Sequence, residues 1–210
     1  MEKLSYLCRK AFFMEQKSKM KKVGVYSGSF NPIHVGHVAL AEYLLAHTDL
    51  DEIWMVLSPQ NPLKQNAELL SDELRYAMLQ LALHDVQGVF PSDVELKMPK
   101  PSYTADTLRH LSGAYPDVEF SLIIGADNLE IFDRWRDYQY ILDNYRLLVY
   151  PRRGCLADVK KYNGNIVLVD APLFDVSSTM IRRCLKNGKG AERFLLPEVM
   201  AFINENKLYR

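Results

Sequence analysis

Val23-Gly24-Val25-Tyr26-Ser27-Gly28-Ser29-Phe30-Asn31-Pro32-Ile33-His34-Val35-Gly36-His37 sets the architecture of the chain. Its first four residues form an apolar run that reads as a strand. Gly28 permits a tight turn because no Cβ stands in the way. Pro32 has no N–H to donate and suits a turn or a helix start. From Val38 to Ala46 apolar residues recur at helical spacing, which predicts a helix. The order is therefore strand, glycine-bearing turn, helix N-terminus. Amides at such a terminus point outward and favour an anion such as phosphate. His34 and His37 are three apart, so they share one helical face. Both can donate hydrogen bonds to phosphoryl oxygens, and with an ordinary pKa of about 6.5 either could carry a positive charge there.

Other readings of the same residues stay open at this point. His-x-x-His is also half of a metal site, although no third and fourth ligand stand nearby at finger-like spacing. Two ordinary surface histidines at a helix start would look the same. The dinucleotide-binding spacing G-x-G-x-x-G is not met by Gly24, Gly28 and Gly36. Gly188-Lys189-Gly190 lacks the upstream glycine and the following Ser/Thr of a Walker A loop.

Working outward, strand-like and helix-like runs alternate. Residues 53–57 read as a buried strand, followed by the loop Ser58-Pro59-Gln60-Asn61-Pro62-Leu63-Lys64. Lys64 is a cation at a strand's carboxyl end, or simply a solvated loop lysine. Ser71 reads as the N-cap of a helix running to His84, and residues 89–96 as a strand. Ser102-Tyr103-Thr104 opens another helix, whose start either holds an anionic group or is merely capped. Residues 118–124 are a strand ending in Gly125-Ala126-Asp127. Gly125 would allow close approach of a ligand, and Asp127 would accept from ribose hydroxyls or cap a helix. Trp135, among charges, either stacks on a planar ligand or packs on the core. Residues 146–150 and 166–169 are strands, with the basic loop Pro151-Arg152-Arg153-Gly154 between them. Ser177-Ser178-Thr179 opens a helix with Arg182 one turn in, a second phosphate site. Pro197 begins a last helix reaching about Asn206. The fold class is α/β: a Rossmann-like, doubly wound, mostly parallel sheet with helices on both faces, its site along the strands' carboxyl ends.

Composition fits this. The chain has 210 residues, 48% of them hydrophobic, which suits one α/β domain with a real core. A formal net charge of +0 gives no general attraction to nucleic acid or membrane. Cys8, Cys155 and Cys184 form no framework and no CxxC, and point to a reducing cytoplasm. No apolar run reaches the length of a membrane span. Residues 1–22 read as an N-terminal extension, a short helix or a disordered arm, and residues 23–210 as one domain.

The run from Gly28 to His37 resembles the GxFxPxHxGH signature of the nucleotidyltransferase superfamily related to class I aminoacyl-tRNA synthetases. Further segments resemble the nicotinate-nucleotide adenylyltransferases of bacteria: Pro59 to Lys64, Ser102-Tyr103-Thr104-x-Asp106-Thr107-Leu108, Gly125-Ala126-Asp127, Trp135, Pro151-Arg152-x-Gly154, Ser177-Ser178-Thr179-x-Ile181-Arg182, and the C-terminal stretch from Leu195-Leu196-Pro197 and Val199 to Leu208-Tyr209. Leu63 stands where the family often has a histidine, and Ser27 where it often has a glycine. The resemblance implies a cytoplasmic enzyme of NAD biosynthesis that joins ATP and nicotinate mononucleotide into nicotinate adenine dinucleotide, releasing pyrophosphate with Mg²⁺. It implies His34, His37 and Arg182 as catalytic. It implies Gly28, Ser29, Phe30, Gly125, Asp127, Ser178 and Thr179 as further ATP contacts. Asn61, Lys64, Tyr103, Thr104, Trp135 and Arg152 would hold the mononucleotide, with no protein metal cage because Mg²⁺ rides on the phosphates. A homo-oligomer is compatible with this reading. Rivals are a different phosphorylated acceptor, a synthetase fragment (although no Lys-Met-Ser-Lys-Ser loop is present) and a non-catalytic nucleotide sensor.

Overall fold

The computed structural model describes residues 20–59 and 69–210. The chain runs β1 (Lys21–Gly28), α1 (Val35–His47), β2 (Glu52–Leu57), α2 (Asp72–Leu83), β3 (Val89–Ser92), α3 (Thr104–Ala114) and β4 (Val118–Gly125). It continues through α4 (Ala126–Glu130), α5 (Tyr138–Asn144), β5 (Arg146–Tyr150), β6 (Ile166–Leu168), α6 (Ser178–Lys186) and α7 (Pro197–Glu205). Ser71 and Ser177 cap α2 and α6 as the sequence predicts, each accepting from a backbone N–H three residues on. β1 starts at Lys21, and Lys21 and Lys22 pair with Val118 and Glu119, so the end of the N-terminal segment belongs to the sheet.

Two expectations need correction. Residues 89–96 are not one strand: β3 stops at Ser92, and Val94–Lys97 form a 3-10 turn. That turn carries Glu95 inward, where it is buried and accepts from the hydroxyls of Ser102 and Thr107. Of the short helices α4 and α5, five and seven residues long, the sequence reading touches only α4, through the helix-capping alternative for Asp127. A helix of one or two turns is too short to show a period.

Among the described residues six strands lie in the order β3-β2-β1-β4-β5-β6, and each neighbouring pair is parallel. β1 and β4 are the central strands. Their apolar side chains feed two cores. Tyr26 and Ile123 join Leu44, Met78, Leu79, Ile181 and Val199 on one face. Val23, Val25, Leu122 and Ile124 join Leu108, Leu111, Phe132 and Ile141 on the other. Burial on both faces is why these strands read as near-continuous apolar runs. The chain leaves β1 towards β2 and β4 towards β5, in opposite directions. That divergence opens a crevice over the carboxyl ends of β1 and β4, where doubly wound sheets bind their ligands.

Candidate active site

Two clefts open at that crevice and share one wall. The first, of about 310 Å³, is lined by Ser27 to Phe30, Glu95, Ser102 to Thr104, Arg134 to Arg136 and Ser178, among others. The second, of about 490 Å³, is lined by His34, Gly36 and Leu40 of the turn and α1, by Pro151 to Arg153 and Cys155, and by Pro172 to Ser177. Tyr26, His37, Asp127, Tyr150 and Arg152 line both. These five come from the ends of β1, β4 and β5 and the start of α1, which the parallel register brings side by side.

The turn between β1 and α1 is held from several distant segments. Arg75, fully buried on α2, donates to the carbonyls of Ser29 (2.7 Å), Ser58 (2.8 Å), Pro59 (2.9 Å) and Leu70 (3.0 Å) and pairs with Asp72. Ser178 Oγ donates to Pro32 O (2.9 Å), and Arg182 Nη1 to Asn31 O (2.9 Å). Gly36 leaves room for the chain that follows β6. A Cβ there would come within 2.6 Å of Val176 Cγ1.

His34 and His37 stack, with ring centroids 3.6 Å apart. Both are buried or nearly so, and burial disfavours their charged forms. His34 is pushed down to about 4 by burial and then by the Arg152 charge. His37 lies well below its ordinary value, through burial first and then the charges of His34 and Arg152. The expectation that either imidazole carries a charge is therefore corrected: without an anion beside them, both are neutral at neutral pH. His37 Nδ1 accepts from the backbone N–H of His34 (3.3 Å), which leaves its proton on Nε2.

Arg152 supplies a fixed positive charge on the shared wall. Its guanidinium lies 5.0 Å from the centre of the Tyr150 ring and donates to the Tyr150 hydroxyl (2.9 Å). Its Nε is 3.6 Å from Asp127 Oδ1, and both atoms are buried without a hydrogen-bond partner. Gly125 makes this possible, since a Cβ there would collide with Asp127 Oδ1 and press on Arg152. Tyr26 and Tyr150 back the wall, hydroxyl to hydroxyl at 3.4 Å.

On the far side of the first cleft, Trp135 packs against Phe132 and also lines the opening, so it both packs and faces the cleft. Its Nε1 is buried without a partner. Tyr103 is the N-cap of α3 and gives no side-chain cap, so the amides at that helix start are not taken up by a capping side chain. Arg136 lies over the Tyr103 ring at 4.7 Å.

The sequence-predicted residues thus fall into groups. Gly28, Ser29, Phe30, Tyr103, Thr104, Trp135 and Ser178 line the first cleft, His34 the second, and His37, Asp127 and Arg152 both. Gly125 supports Asp127 from beneath. Arg182 grips the turn at Asn31 and donates to Thr179 Oγ1 (3.4 Å). Asn61 and Lys64 lie outside the described residues. Sequence reasoning missed Arg75, Glu95, Tyr26, Tyr150, Arg134 and Arg136. Tyr26 and Tyr150 had a signal, since both end strands that the sequence identified.

The cytidylyltransferase-like family model matches residues 25–184. A protein of Flavobacterium johnsoniae named a probable nicotinate-nucleotide adenylyltransferase is 45% identical over 194 residues, covering 90% of this chain and 99% of that protein. One of the same name from Bacteroides fragilis is 47% identical over 178 residues, covering 85% and 89%. The chain belongs to the nicotinate-nucleotide adenylyltransferase family. The fold agrees: Plasmodium falciparum nicotinic acid mononucleotide adenylyltransferase, solved in complex with NaAD, superposes with a TM-score of 0.77 at 19% identity, covering 90% of this chain and 97% of that one. Among the described residues no helix is long and apolar enough to cross a membrane.

Proposed function

We propose that this nucleotidyltransferase moves the adenylyl group of ATP to nicotinate mononucleotide, giving nicotinate adenine dinucleotide and pyrophosphate. The observation that carries the reading is the shared wall: two clefts, each large enough for a nucleoside, meet at His37, Asp127 and Arg152. That is what a reaction joining two nucleotides through their phosphates requires. The second cleft, with Leu40, Phe174 and Met180, suits the adenosine of ATP. The first, with Trp135 and the start of α3, suits the pyridine ring and its carboxylate.

An oxygen of the mononucleotide's 5′-phosphate attacks the α-phosphorus of ATP, a new P–O–P bond forms, and pyrophosphate leaves with the electrons of the broken P–O bond. The attacking phosphate is already anionic, so the site needs no strong base. Catalysis is positioning and charge stabilisation. The neutral His34 and His37 donate N–H groups to the α-phosphoryl oxygens, and Arg152 offsets charge at the junction. Ser178, Thr179 and Arg182 at the start of α6 hold the β- and γ-phosphates.

Among the described residues no cluster of three or more His, Cys, Asp or Glu could hold a metal. Asp127, whose buried Oδ1 faces Arg152 Nε at 3.6 Å without a hydrogen bond, fits a single carboxylate beside Mg²⁺ carried by the phosphates. When bound, Mg²⁺ neutralises phosphate charge. The same reading sets the enzyme in the cytoplasm with the two nucleotides as its partners, and with neither nucleic acid nor membrane. A pyrophosphate-release assay with ATP and a panel of phosphorylated acceptors tests it. Nicotinate mononucleotide is expected to give the highest kcat/KM. Preference for the amide mononucleotide or for a pantetheine phosphate contradicts the acceptor assignment.

A further inference from the structure

Phe30 stands at φ +41, a left-handed conformation that bulky side chains rarely adopt and that only surrounding contacts sustain. α6 supplies two such contacts, through Asn31 O and Pro32 O. A third comes from much farther along the chain. The hydroxyl of Tyr209, 178 residues away, donates to Asn31 Oδ1 at 2.8 Å, on the same oxygen that accepts the Leu70 N–H at 3.4 Å. Asn31 is only 2% exposed. Leu208 and Tyr209 pack on the core shared by α1, α2, α6 and α7, and the backbone of this segment folds back on the end of α7 through Leu208 N–H to Ile203 O. Tyr209 is itself left-handed, at φ +59, which aims its side chain back under the turn. Burial raises its hydroxyl above the ordinary tyrosine value, so it remains a protonated donor. Tyr209 lines neither cleft.

We propose that Tyr209 is a positioning residue for the phosphate-binding turn: acting through Asn31, its hydroxyl holds residues 30–32 in the bend that aims His34 and His37 at a triphosphate. This rests on the reading that the turn receives the phosphates of ATP. The ring packs in the core and the hydroxyl reaches the turn, so the two contributions separate. Tyr209→Phe keeps the packing and removes the hydrogen bond, whose loss corresponds to about a 3- to 10-fold change in an equilibrium or a rate.

The test compares wild type, Tyr209→Phe, Asn31→Ala and the double variant. Binding of α,β-methylene-ATP, kcat/KM for ATP at saturating nicotinate mononucleotide, and Tm are measured for each. Each single variant is expected to weaken analogue binding and lower kcat/KM for ATP about 3- to 10-fold, with KM for the mononucleotide unchanged. The double variant is expected to be no worse than Asn31→Ala alone, because both changes break one linkage. A lower Tm with wild-type analogue affinity would make Tyr209 merely structural and overturn the proposal, as would losses that add in the double variant. Should Tyr209→Phe not fold, Asn31→Ala reads the same turn from the other partner: wild-type analogue affinity in that variant overturns the proposal. A wild-type chain that neither binds the analogue nor releases pyrophosphate defeats the functional reading. A wild type that does both, matched by Tyr209→Phe, defeats this inference alone.

Discussion

The turn between β1 and α1 and the wall that carries Trp135 face the same cleft but are held in different ways. In the turn, Phe30, Asn31 and His34 are 2–4% exposed, and hydrogen bonds arrive from Arg75, Ser178, Arg182 and Tyr209. Around Trp135 the neighbouring arginines are exposed, and the ties are surface ion pairs: Arg109 with Asp137 at 2.9 Å and Arg136 with Asp106 at 3.7 Å. Such pairs contribute about 0–1 kcal/mol each. Each region also has a left-handed residue. Asp137, at φ +53, adopts that conformation readily, whereas Phe30 at φ +41 does so at a cost of about 1–3 kcal/mol. The turn between β1 and α1 is therefore rigid and strained. The wall that carries Trp135 is more weakly tied.

The contrast is open to test, and the largest effect belongs to the rigid side. Arg75→Ala removes the donor to four carbonyls and leaves Asp72 with Lys100 as its remaining partner. A stability loss of about 3–5 kcal/mol is expected in urea unfolding. A loss below about 1 kcal/mol would mean that Arg75 does not hold the turn. His37→Ala is expected to lower kcat about 10²-fold or more while the fold persists, the scale for removing one oxyanion-type donor. Near-normal turnover would remove His37 from the reacting centre.

On the looser side, Trp135→Ala is expected to raise KM for the mononucleotide about 10-fold through lost stacking. Its kcat should change little, and Tm should fall only modestly, through the lost contact with Phe132. A collapse of Tm would make Trp135 a core residue instead. The smallest effect is a pH dependence. His34 titrates near 4 when folded, against about 6.5 unfolded. Between those values the unfolded chain binds the proton that the folded chain refuses. Stability contributed by this burial is therefore complete above pH ~6.5 and falls as pH drops towards about 4. From pH 7 to 5.5 the expected loss is on the order of 1 kcal/mol, and smaller in His34→Ala. An equal loss in that variant would assign the pH dependence to other groups.

Much of the rigid side was legible in the sequence. The run from Val23 to His37 announces strand, turn and helix in one reading, and Ser71 and Ser177 mark helix starts by local chemistry. Short-range patterns carry such information because the forces behind them act within a turn or two. What holds the turn was not legible. Arg75 and Glu95 look like surface residues until the fold buries them, Arg75 among carbonyls and Glu95 among hydroxyls. Asn31 and Tyr209 meet only because α7 brings the segment after it back under β1, a contact with no local period. The charge state of His34 and His37 is hidden from the sequence for the same reason: burial and the position of Arg152 are tertiary facts.

In the proposed function, the two clefts that meet at His37, Asp127 and Arg152 hold the two nucleotides on opposite sides of one reacting phosphorus. A crystal structure with α,β-methylene-ATP and nicotinate mononucleotide tests it most directly. The account predicts adenosine in the cleft of Leu40 and Phe174, the pyridine ring against Trp135, and the α-phosphorus at the dividing wall. Both nucleotides in one cleft, or phosphates away from His34 and His37, would contradict it.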